Sequence, residues 1–121
     1  MTLLLAVAIG GAVGAPLRYL LERWVGKRTR GRRAFPWGLL VVNAVGSAIA
    51  GIVVIATTGG LRVLLLVGFC GALTTFSGLA WEADRLRRVD APMSWVAIVA
   101  IPAACIAAFW IAWRLAAALV G

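Results

Sequence analysis

Histidine is absent from this chain of 121 residues, and its carboxylates number four: Glu22, Glu82, Asp84 and Asp90. Without imidazole there is no His-dependent nucleophilic triad, and most transition-metal sites are closed. All four carboxylates fall at or beyond the ends of the apolar runs, which excludes paired-carboxylate hydrolysis and a proton relay buried among apolar residues. Cys70 and Cys105 are the only cysteines, lie in different apolar runs without C-x-x-C spacing, and read as small buried hydrophobes. Ser47 and Ser77 lack a candidate base. The chain is therefore not read as an enzyme. Charge is scarce as well: 13% of residues are charged and 64% hydrophobic, against about a quarter and about half in soluble domains. Most of the chain is expected to lie in lipid, as one membrane domain over residues 1–121.

What charge there is has one sign. Twelve Lys and Arg give a formal net charge of +8. Six of them (Arg23, Lys27, Arg28, Arg30, Arg32, Arg33) lie between two apolar runs, and Arg85, Arg87 and Arg88 lie in another short gap. No nucleic-acid recognition motif accompanies them, so the basic runs read as topology signals that meet lipid headgroups.

Hydropathy divides the chain into four spans, at about 2–24, 36–57, 61–82 and 93–119, each near the ~20 residues that cross a bilayer. A signal peptide is disfavoured for the first, which begins without positive charge and runs into Pro16, Arg18 and Tyr19. Trp24 stands where an interfacial anchor is expected. The third run carries Gly68, Gly71, Thr74, Thr75, Ser77 and Gly78, a composition that breaks a continuous helix and supplies hydroxyls as alternative partners. Pro102 marks a kink in the fourth. Connections of about a dozen, about four and about ten residues make consecutive helices antiparallel neighbours in a four-helix bundle. The first and third loops then share a face holding nine Lys/Arg, while the other face holds Arg62 and Arg114. The basic loops are expected in the cytoplasm, with both termini outside.

Few polar residues lie inside the spans. Asn43, Ser47 and Ala50 fall on one helical face, a track that serves equally as interhelical glue or as a path for water or an ion. Gly10, Gly14 and Arg18 share a face of the first span, a smooth strip leading to a cation, and the glycines allow close helix approach. A guanidinium inside the headgroup boundary either snorkels or lines a cavity; with no acidic residue in the spans, any ion that moves here is an anion.

Three motifs in order, Gly10-Gly11-Ala-Val-Gly14-Ala-Pro-Leu-Arg18-Tyr19, then Phe35-Pro36-Trp37-Gly38 through Asn43, Gly46 and Ser47, then Gly68-Phe69-Cys70-Gly71-Ala-Leu-Thr74-Thr75-Phe76-Ser77 with Glu82 five residues on, resemble the Fluc/CrcB fluoride-channel family. The resemblance covers residues 10–82. It implies an all-α integral membrane protein of the cell membrane, an antiparallel dual-topology dimer of four-helix subunits with a break in the third helix, and a passive fluoride channel that is opened by no ligand and exports fluoride from the cytoplasm. It further implies a structural sodium ion (Na+) on the backbone carbonyls of Gly71 and Thr74. Asn43, Thr75, Phe76 and Ser77 would line the fluoride path and Arg18 would draw the anion into a vestibule, with Gly10, Gly14 and Gly46 in packing roles.

Three positions depart from the family pattern. Gly78 and Leu79 follow Ser77 where the family continues Thr-Phe, and Leu39 replaces a threonine, so a second pore phenylalanine and two polar groups are missing. Together with the nine-to-two charge bias, this leads to the expectation that the chain pairs with a homologous subunit of opposite orientation, the homodimer being the alternative. A small multidrug-type exporter is the rival transporter, but it needs an intramembrane carboxylate; a non-transporting assembly subunit does not require Asn43, Arg18 and the Thr-Thr-Phe-Ser segment together.

Overall fold

A computed structural model describes residues 2–29 and 35–121; Arg30, Arg32 and Arg33 of the first basic loop lie outside the described residues. The elements are α1 (Thr2–Arg28), α2 (Trp37–Ala56), α3 (Gly59–Arg62), a π-helical stretch (Val63–Cys70), α4 (Gly71–Leu73), α5 (Phe76–Val89) and α6 (Ala91–Val120). Four stretches, Thr2–Arg28, Trp37–Ala56, Gly59–Val89 and Ala91–Val120, are long and apolar enough to cross a membrane.

The helices outrun the apolar stretches, and the reason is local. The last turns of α5 are charged, yet Arg85 pairs with Glu82 at 2.7 Å, and Asp84 accepts from Arg87 and Arg88 at 3.2 and 2.9 Å. Such i,i+3 and i,i+4 pairs sustain helix beyond the hydrophobic segment. The expected connector of about ten residues is therefore Asp90 alone. Its N–H closes α5 on the Leu86 carbonyl at 2.6 Å, and its Oδ1 accepts from Met93 N at 3.0 Å to open α6. The α2–α3 corner is equally tight. Gly59 has φ +59°, a left-handed conformation that favours glycine, and Arg62 reaches back with Nε and Nη2 to the carbonyls of Thr57 and Val54, both at 2.8 Å, neutralising the negative end of α2.

Close packing follows the glycines. At the crossing of α1 and the π-helical stretch, a Cβ on Gly10 or Gly14 would collide with backbone of residues 64–69, and one on Gly68 would stand 2.9 Å from the Val7 carbonyl. Here backbone meets backbone, the small-residue packing that membrane helices use in place of a hydrophobic drive. α2 lies along α6, and Gly51 admits the Phe109 backbone. α5 is tied to α6 by Ser94 Oγ, which donates to the Ala83 carbonyl at 2.7 Å. Leu39, Leu79, Leu86, Ala97 and Ile101 form the buried cluster among α2, α5 and α6. Large apolar side chains otherwise point outward along every long helix, the pattern of a bundle solvated by lipid.

Candidate functional site

The ladder of the third membrane stretch stops at Thr74 and Thr75, whose backbones are extended (φ/ψ −85°/159° and −153°/126°) between Leu73 and Phe76. The two threonines do opposite jobs. Thr74 donates from both its N–H and its Oγ1 to the Cys70 carbonyl, each at 2.9 Å, closing the preceding helix. Thr75 Oγ1 accepts from Gly78 N at 3.0 Å and so caps the N-terminus of α5, with Ser77 Oγ 3.1 Å away. Gly46 makes room on α2: a Cβ there would strike Thr74 Cγ2.

Asn43 holds this arrangement from across the bundle. Its Oδ1 accepts the Thr75 N–H at 2.7 Å. In an uninterrupted helix that N–H would go to the carbonyl of Gly71, four residues back; Asn43 takes it instead and releases the Gly71 carbonyl from the ladder. The bond also sets the amide. Because the atom facing an N–H must be oxygen, Nδ2 with its two donors is directed elsewhere. Asn43 is 5% exposed, and what it shows lines a groove of about 330 Å³.

That groove is lined by Asn43, Ser47, Thr74, Thr75, Phe76 and Leu79 from α2 and the third membrane stretch and by Ile101, Pro102, Cys105 and Ile106 of α6. Among the described residues no charged side chain lines it. Its electrostatics come from dipoles: the Asn43 amide donors, the Ser47 hydroxyl, and the positive N-terminus of α5 at Phe76. Phe76, which lines the groove, is 80% exposed. A carboxylate-free cleft furnished with weak donors suits a small anion and gives a cation little to bind.

The structure gathers Asn43, Thr74, Thr75 and Phe76 at one place, with Ser77 bonded to Thr75 and Gly46 behind Thr74. Arg18 is not part of this groove; it lies half-exposed on α1, one turn before Glu22. Gly10 and Gly14 belong to the α1 crossing. Gly71 is exposed, and the nearest atom to a Cβ built on it is 3.9 Å away, so its backbone can be approached. Among the described residues no cluster of three or more His, Cys, Asp or Glu could hold a metal. Backbone carbonyls are the donors present at the interruption, and an oxygen released from the helix ladder is the kind of donor that a hard cation takes.

The α6 wall was not singled out from sequence, although Pro102, Cys105 and Ile106 share a helical face at i, i+3, i+4. The three departures from the family pattern also acquire a setting. Leu39 and Leu79 are buried in the apolar cluster, and a Cβ on Gly78 would stand 3.1 Å from Leu39 Cδ1. The larger side chain at 39 and the missing one at 78 share one space.

Comparison with known proteins follows the same direction. Residues 5–113 match the family described as CrcB-like protein, Camphor Resistance (CrcB). A protein of Rhodococcus jostii named Fluoride-specific ion channel FluC 2 is 43% identical over 117 residues, covering 95% of this chain and 98% of that relative. One of Geobacillus kaustophilus named Fluoride-specific ion channel FluC 1 is 38% identical over 111 residues, 90% of each. The match to Fluoride-specific ion channel FluC of Koribacter versatilis, 44% identical over 83 residues, spans 64% of each chain.

Proposed function

The chain belongs to the CrcB-like family, and from that premise we propose that it is a subunit of a passive, fluoride-selective channel that lowers cytoplasmic fluoride and is opened by no ligand. It is a multi-pass membrane protein of an ion-channel family, not an enzyme. The observation that carries the reading is the bond from Thr75 N to Asn43 Oδ1. It turns the two Asn43 donors away from the interruption at a groove free of carboxylates.

Fluoride is small and strongly hydrated, so a conducting path must replace its water with several weak contacts rather than one tight site. Asn43 Nδ2, the hydroxyls of Thr75 and Ser77, and the positive edge of the Phe76 ring supply such contacts, and Arg18 on α1 raises the local anion concentration before entry. The extended backbone at Thr74 and Thr75 supports reading this point as the expected break in the third membrane helix. The carbonyls of Gly71 and Thr74 would hold a structural sodium ion, which would place fixed positive charge at the break. Two subunits assemble antiparallel in the cell membrane, the basic loops of this one in the cytoplasm and its termini outside. The partner is a homologous chain of opposite orientation; a homodimer is the alternative.

A fluoride-selective electrode tests this on vesicles loaded with potassium fluoride, using the chain alone and co-reconstituted with a homologue of opposite charge bias. Fluoride efflux without chloride efflux, unaffected by a pH gradient, is expected. Proton-coupled uptake of a cationic drug would make it an exporter, and silence in both preparations a non-transporting subunit.

A further inference from the structure

The nine cations of the basic face are not equivalent. On α5, Arg85, Arg87 and Arg88 each have a carboxylate within 3.2 Å, from Glu82 or Asp84 of the same helix. At the end of α1, Arg23, Lys27 and Arg28 have no carboxylate partner among the described residues. Arg23 instead donates through Nη1 to Tyr19 Oη at 3.0 Å, and the Arg28 guanidinium lies 4.1 Å over the Trp24 ring. α1 turns its other side to the bundle: Val25 is buried, and the Glu22 carbonyl would be 2.8 Å from a Cβ on Gly38. Arg23 and Lys27 thus form an outward ridge. On one flank is an open depression with Tyr19 and Gly26, where nothing lies within 4 Å of a Cβ built on the glycine. On the other is an apolar groove with Leu20 and Trp24, both exposed.

The depth of this ridge is set by helix geometry. At about 1.5 Å per residue, Arg23 and Lys27 stand roughly 3 and 9 Å along α1 beyond Leu21, which closes the apolar run of the helix. The guanidinium and ammonium therefore reach headgroup level, while Leu20 and Trp24 lie at the acyl boundary just below.

We propose that this end of α1 is a binding site for one anionic phospholipid, its phosphate held by Arg23 and Lys27 and its upper acyl chain laid along Leu20 and Trp24. The inference rests on the membrane reading above but not on fluoride conduction. Two unneutralised cations one helical turn apart match a phosphate that carries net charge, and the adjoining apolar groove selects a lipid over a free ion. A zwitterionic lipid brings its own cation to the same place and loses that advantage.

Native mass spectrometry of the full chain in detergent, titrated with dioleoyl-phosphatidylglycerol or dioleoyl-phosphatidylcholine, tests it. Phosphatidylglycerol is expected to be retained at roughly tenfold lower concentration than phosphatidylcholine. The double variant Arg23→Gln/Lys27→Gln should reduce its retention to the phosphatidylcholine level, Arg23→Lys/Lys27→Arg should preserve it, and Arg87→Gln/Arg88→Gln should leave it unchanged. Circular dichroism confirms that each variant remains helical, and the comparison of the two lipids on the wild-type chain stands whatever the variants do. Equal retention of both lipids, equal loss in the α5 variant, or displacement of phosphatidylglycerol by millimolar inorganic phosphate would overturn the proposal. So would a shift in the monomer–dimer ratio of the α1 variant with lipid retention intact, which would make the ridge a contact between copies.

Discussion

Asn43 accepts with one end of its amide and donates with the other, and the two ends serve different purposes. The accepting end pairs with the Thr75 N–H across the bundle; the donating end is what a passing anion would meet. Asn43→Asp separates them. A carboxylate still accepts from Thr75, so the interruption should survive, but its negative charge replaces the donors and, without a countercharge at a position 5% exposed, should also lower the melting temperature. Fluoride efflux should fall by about 10- to 100-fold, as expected for loss of a hydrogen bond to a charged partner; unchanged efflux would remove Asn43 from the path. Phe76→Ala is the complementary case. The ring is almost entirely exposed, so its removal should leave thermal stability within about 0.5 kcal/mol while impairing efflux, and normal efflux would take the ring out of the mechanism. Leu39 and Gly78 give a third prediction at this scale. A side chain on Gly78 meets Leu39 Cδ1 at 3.1 Å and Thr75 Cγ2 at 2.8 Å. Gly78→Thr alone should destabilise by about 1–3 kcal/mol through overpacking, and Leu39→Thr alone by about as much through lost burial. The double variant should lose less than the sum, with a coupling of about 0.5 kcal/mol or more in detergent melts. Strict additivity would mean that the two positions do not share space.

Among the elements, the α5–α6 connection concentrates the most structure in the fewest residues. Asp90 ends one helix with its N–H and begins the next with its carboxylate. Asp90→Ala keeps the first bond and deletes the second, so the detergent-solubilised protein should lose about 1 kcal/mol, the usual value of an N-cap side chain; a melting temperature equal to wild type would show that packing and Pro92, which stands in the first turn of α6, suffice to start that helix. Sequence and structure part company at this scale for a definite reason. Hydropathy reports where apolar residues stop, not where hydrogen bonding stops, so α5 and α6 could be placed in lipid while their charged final turns and one-residue link could not be read. Asn43 and the Thr-Thr-Phe-Ser segment stood out because a polar group in an apolar run is conspicuous. The wall that Ile101, Pro102 and Cys105 make did not, since a groove wall and a lipid-facing surface are built from the same residue types. The pairing of Leu39 with Gly78 was hidden because a contact between residues 39 apart in the chain leaves no local pattern.

For the molecule as a whole, the controlling quantity is the distribution of Lys and Arg. The positive-inside rule counts cations and gives little weight to carboxylates, so the ion pairs on α5 do not cancel the contribution of Arg85, Arg87 and Arg88 to orientation even though they leave those side chains partnered. On the opposite face, Arg62 is spent on the carbonyls that end α2, which ties this cation to the corner it caps. The bias of nine to two therefore acts in one direction. A chain with this bias should insert with its C-terminus outside in nearly every copy, and fusions of an alkaline phosphatase and of a fluorescent protein to the C-terminus should give the phosphatase signal and almost no fluorescence. Equal signals from both fusions would show dual insertion and restore the homodimer. If insertion is one-way, an antiparallel assembly needs a second chain, and the consequence is quantitative. Vesicles made with this chain alone should release fluoride at the rate of protein-free vesicles, while co-expression with a homologue of opposite bias should restore efflux. Robust efflux from the lone chain would contradict the paired arrangement while leaving the channel itself intact.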